Sequence, residues 1–185
     1  MHFADRQDGQ PSHFESTGVF VSQTSAIKKG EPASVAERLA TLGIEIPPAQ
    51  PPIANFAAYK QEGNILYLSG QGPSESDGSQ HYGKVGGDVT VEDAYRHARL
   101  TGLNLLAVMQ EALGNLDRVK HVVKILGMVN ATPDFTQHPS VINGCSDLFI
   151  EVFGEAGIHA RSAVGLGSLP NNITVEIEAI VAVKD

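Results

Sequence analysis

Hydrophobic spacing alternates along the chain between a helical and a strand period. Val35, Leu39 and Leu42 recur at helical spacing behind Ser34-Val-Ala-Glu37, which has the form of a capping box, and Gly43 supplies a stop. A longer stripe, Ala94, Ala98, Leu105, Met109 and Ala112, starts behind Thr90-Val-Glu-Asp93 and closes at Gly114. Pro139 opens a third helix with Val141, Cys145, Leu148, Phe149 and Val152 turned inward. Between these lie β-rich segments at 56–60, 64–69, 119–129, 161–167 and 174–183. The last ends in a wholly apolar run, 179–183, which predicts burial on both faces.

Beyond the first helix the order is ββαβαββ. This predicts an α+β domain with one mixed sheet and two helices on one face. The opposite face then needs a cover, and self-association is the natural one. The chain divides into a polar arm (1–33), a short helix with a Pro-rich linker (34–52) and a main domain (53–185). Within the arm, the apolar patch 18–21 suggests docking on a neighbour.

Charge and cysteine content narrow the chemistry. Thirteen bases against 21 acids leave −8 over 185 residues, so nucleic acid and an anionic membrane are disfavoured partners. A single cysteine excludes an internal disulfide and a multi-cysteine zinc site, and no metal site is expected from the scattered histidines. There is no Walker loop, no dinucleotide fingerprint and no GxSxG elbow. The first residues lack a continuous apolar stretch and no run reaches the ~18 residues of a membrane span, so a cytoplasmic protein is expected.

The last two strands, read as a hairpin, carry the remaining candidates. Arg161 starts one, and Glu176 and Glu178 share one face of the next by strand alternation. An arginine offers a planar fork for a carboxylate. A glutamate among apolar walls can trade protons near neutrality. The same residues also read as a cross-strand surface ion pair worth roughly 0–1 kcal/mol.

The runs His159-Ala-Arg-Ser-Ala-Val-Gly-Leu-Gly-Ser-Leu-Pro170 and Val175-Glu-Ile-Glu-Ala-Ile180 resemble the signature of the Rid/YjgF reactive-intermediate deaminase family, long called endoribonuclease L-PSP. Ile65-Leu-Tyr-Leu-Ser-Gly-Gln71 is similar to its early strand, and Asn143 ahead of Asp147-Leu-Phe149 is similar to its second-helix asparagine. The helix at 34–42, Gly83-Lys-Val-Gly86 and the run 141–148 resemble a longer bacterial branch.

The resemblance implies a chorismate-mutase-like fold, a homotrimer and active sites in the clefts between subunits. It implies hydrolytic deamination of 2-aminoacrylate-type enamines or imines to a 2-oxo acid and ammonia, with no cofactor. Arg161 would grip the substrate carboxylate and Glu176 would handle protons and water. The backbone around Ser69 and Gly70 and the side chain of Asn143 would line the pocket. Two departures bear on specificity: the family's tyrosine is Phe56 here, and a frequent cysteine is Ala163. Both make the expected cavity more apolar. Two competing readings are a non-catalytic, carboxylate-binding or chaperone-like trimer and an endoribonuclease; the acidic charge speaks against the second.

Overall fold

The computed structural model describes residues 34–52 and 54–185. The expectations for 1–33, including the patch at 18–21, lie outside the described residues. The capping box is present in full. Ser34 accepts from the Glu37 backbone, the Glu37 side chain accepts from the Ser34 backbone, and Gly43 at φ 64° ends helix α1 (Val35–Leu42). Val35, Leu39, Ile44, Ile46 and Ala49 all pack on the core, so the helix and the start of the Pro-rich stretch lie against the body.

The five strands are β1 (Tyr59–Glu62), β2 (Ile65–Gln71), β3 (Val119–Asn130), β4 (Ala160–Leu166) and β5 (Val175–Val183). They form one sheet in the order β1-β2-β5-β3-β4, in which β3 and β4 are parallel and the other neighbours antiparallel. Helices α2 (Val91–Leu113) and α3 (His138–Phe153) cover one face. Thr90 caps α2 at the Asp93 backbone, and Gly114 at φ 71° closes it.

One expected pairing is overturned: β4 and β5 are not a hairpin. Strand β5 inserts between β2 and β3, and β4 is the far edge beside β3. Burial explains the choice. Val181, Ala182 and Val183 are all buried, which an edge strand does not achieve, whereas β4 is half-buried at best. The first strand also begins later than the pattern suggested, at Tyr59, and 54–58 is irregular. The Ser69 hydroxyl donates to the Ala57 carbonyl at 2.7 Å, and β2 shifts register between Leu68 and Gln71, which ends regular pairing there.

The helices approach each other and the sheet closely. A Cβ at Gly144 would overlap the Tyr95 carbonyl oxygen, and one at Gly127 would run into Ile142. Cys145 is fully buried in the same seam, and burial pushes its thiol pKa up, so it is an inert small core residue. The other sheet face keeps apolar side chains in the open: Tyr67 is 47% exposed and Val164 39%.

Candidate functional site

Strand alternation sends Val175, Ile177 and Ala179 into the core, and Glu176 and Glu178 to the uncovered face. The Glu176 carboxylate lies directly over the backbone of Gly70, where any Cβ would overlap it. It borders a cleft of about 380 Å³. Phe56 and Ala58 from the irregular segment, Pro51 and Pro52, and Pro170 and Ile173 make the apolar part of its wall. Asn104 of α2 fixes the rim by donating to the carbonyls of Gly72 (3.0 Å) and Ser74 (2.9 Å). Glu176 has no hydrogen-bond donor among the described residues. Burial, and secondly the charge of Glu178, hold its pKa above the ordinary carboxylate value. That is the state of a group able to exchange protons nearer to neutrality.

Arg161 belongs to another surface. Its Nη1 donates to Asn143 Oδ1 at 2.8 Å and to Ser146 Oγ at 3.0 Å, both on α3, so its side chain points to the helical face. Those two bonds use both hydrogens of Nη1. The Nη2 and Nε edge has no acceptor among the described residues and matches a carboxylate in side-on bidentate geometry. Ala163, two residues on, packs against the core on the same face.

The expected constellation is therefore split. Glu176, Gly70 and Phe56 converge on the cleft. Ser69 lines a neighbouring hollow with Phe56 and Glu178, and its hydroxyl is spent on Ala57. Arg161, Asn143 and Ala163 form a second group. Arg161 is opposite Ile125, which is opposite Ala179, whereas Glu176 is opposite Met128. Two strand spacings and three residues of offset place the two Cα atoms roughly 14 Å apart, with side chains on opposite faces. Arg161 and Glu176 do not meet within one chain, so the cross-strand ion pair is excluded as well as the hairpin site.

Sequence reasoning missed Ser146 as an arginine partner, although its i+3 spacing from Asn143 puts both on one helix face. The Ser146 hydroxyl has a further partner in His159, whose Nε2 lies 3.1 Å from Ser146 Oγ. Among the described residues, no three His, Cys, Asp or Glu side chains converge as metal ligands, and no helix is long and apolar enough to cross a membrane.

A family described as "YjgF/chorismate mutase-like, putative endoribonuclease" matches residues 36–179. The chain belongs to this YjgF family. Within it, the chain is 43% identical to Protein TCP17 of Trypanosoma cruzi, over 82% of this chain and 95% of that one. It is 32% identical to a 2-iminobutanoate/2-iminopropanoate deaminase of Dermatophagoides farinae, over 76% and 95% of the two chains. Among solved structures, a protein of unknown function from Agrobacterium tumefaciens superposes with a TM-score of 0.74 at 44% identity, covering 82% of this chain and 94% of that one. The YjgF match starts inside α1, so the capped helix belongs to the matched region.

Proposed function

We propose that the protein is a hydrolytic deaminase of enamines and imines that carry a carboxylate, acting as a homotrimer in which each site joins the Arg161 surface of one copy to the Glu176 cleft of another. The observation that carries this reading is the chemistry of the two separated groups. One is an arginine already oriented, with a bidentate edge left over. The other is a carboxylate in an apolar cleft, without donors and with a raised pKa. The relation to an imine deaminase agrees with it. The half-exposed apolar residues of the open sheet face, Tyr67 and Val164, supply the surface for association.

In this mechanism the Nη2–Nε edge of Arg161 holds the substrate carboxylate and fixes the imine carbon over Glu176. Protonated Glu176 delivers a proton that converts enamine to imine. Its ionised form then takes a proton from water as the oxygen adds to the imine carbon. Glu176 returns that proton to the nitrogen, the C–N bond breaks to release ammonia, and the hydroxyl proton passes back to the Glu176 carboxylate as the carbonyl of the 2-oxo acid forms, which regenerates protonated Glu176. An imine is already electrophilic, so these steps need no cofactor. Phe56, Pro170 and Ile173 give the substrate side chain an apolar wall. This favours substrates larger than 2-aminoacrylate, by about 0.8 kcal/mol for each methylene buried.

The test is release of ammonia from enamines generated in place by an amino-acid dehydratase. The wild-type protein is expected to accelerate it and Arg161→Ala to lose the acceleration. An Arg161→Ala protein as fast as wild type rules the assignment out. Saturable 2-oxo acid binding without turnover establishes the binding-protein reading instead. RNA cleavage lost in Glu176→Gln establishes the nuclease.

A further inference from the structure

Arg161 does not stand alone on α3; it ends a chain of hydrogen bonds whose direction can be read. The carbonyl of Gly157 only accepts, so the 2.7 Å contact with His159 Nδ1 fixes the proton on Nδ1. In the neutral ring Nε2 then carries a lone pair, and the Ser146 hydroxyl donates to it across 3.1 Å. With its proton committed, Ser146 Oγ presents a lone pair to Arg161 Nη1 at 3.0 Å, while Asn143 Oδ1 takes the second Nη1 hydrogen. The ring of His159 is held edge-on to Phe149 at a centroid distance of 6.0 Å. Burial is the main cause that lowers the His159 pKa; the bond to Gly157 opposes it and the Arg161 charge adds to it, and with the net shift downward the neutral form that this polarity needs is the one present near neutrality.

We infer that His159 and Ser146 are positioning residues for the carboxylate grip: they orient the Ser146 hydroxyl so that Arg161 Nη1 is tied down and its Nη2–Nε edge is turned toward the substrate. The inference rests on the reading of Arg161 as the carboxylate-binding group. It gives a role to His159 that its place beside Arg161 in the sequence does not reveal, because the link runs through a helix residue 13 positions earlier. A guanidinium on a flexible stem loses rotamer freedom when it binds, and prior anchoring removes much of that loss. The chain therefore acts on carboxylate affinity rather than on proton transfer at Glu176.

The test measures the Kd of 2-oxobutanoate, a carboxylate product analogue, together with KM and kcat for deamination. His159→Phe keeps the ring against Phe149 and deletes the acceptor. Ser146→Ala breaks the chain at its middle. Each is expected to raise the Kd and KM about five- to tenfold, the net worth of one ordinary hydrogen bond, with kcat within about twofold. The double variant is expected to equal either single one, since one chain is broken once. His159→Gln places an amide oxygen near the Nε2 position and is expected to restore most of the affinity. The inference is overturned if both single variants keep the wild-type Kd, if only kcat falls, or if His159→Gln is as weak as His159→Phe. Arg161→Ala binding 2-oxobutanoate as tightly as wild type sinks the carboxylate reading itself, a separate outcome.

Discussion

The Arg161 surface and the Glu176 cleft are built on opposite plans. Arg161 is tied to Asn143 and Ser146, and through Ser146 to His159, on a helix packed so closely that Gly144 has no room for a methyl group. Glu176 receives no donor among the described residues and rests on a glycine in an apolar wall. A group that must hold a fixed charge in a fixed orientation gains from partners. A group that must change protonation loses by them, because each donor lowers its pKa. Under the proposed function, the contrast matches carboxylate binding to one surface and proton transfer to the other.

The largest effect is expected from Glu176→Gln, which keeps the shape over Gly70 and removes titration. Its kcat should fall about 10²–10⁴-fold, the usual worth of a general acid–base group, while the Kd of 2-oxobutanoate changes little. Arg161→Ala should show the reverse emphasis. Loss of a bidentate charged contact, about 3 kcal/mol, raises the Kd by roughly a hundredfold or more. A matching loss of carboxylate affinity in both variants breaks the division of labour.

Gly70→Ala sharpens the comparison on the cleft side. The added methyl displaces the carboxylate toward water, so kcat should drop about tenfold, the loss expected for a misplaced general acid–base group. The acid limb of the pH–rate profile should also move down, toward the ordinary carboxylate pKa. An unmoved limb separates the catalytic pKa from Glu176.

The smallest effect concerns stability. The folded-state pKa of Glu176 is raised by burial and by Glu178, so the folded protein binds this proton more tightly than the unfolded chain does. Stability from this group is present below the ordinary carboxylate pKa and declines as pH rises through the folded value. Glu176→Gln should then raise Tm near neutrality by about 1–2 °C, a shift kept small by solvent screening. The gain should vanish in acid. A variant less stable than wild type near neutrality contradicts the direction of the shift.

Helices were legible because their signals are local: Ser34 with Glu37, Thr90, and the glycines that follow each apolar stripe. The resemblance in 159–170 and 175–180 likewise singled out Arg161 and Glu176. Strand neighbours were harder. A turn with two asparagines at positive φ, Asn171 and Asn172, reads as a hairpin connection. Long-range packing decides otherwise, and the one clue was the unbroken apolar end of β5, which called for a central place. Ser146 and His159 were invisible for a related reason. Their contact depends on how α3 returns to β4, and no local pattern encodes it.

The central claim is that Arg161 and Glu176 act together only across two copies of the chain. Mixing Arg161→Ala chains with Glu176→Gln chains, by joint refolding or co-expression, tests it most directly. Each variant alone is inactive on this account. In a cyclic trimer assembled at random from equal amounts, about a quarter of the sites pair an intact arginine with an intact glutamate, so about a quarter of wild-type deaminase activity should return. Mixed trimers that stay as inactive as the separate variants contradict the claim.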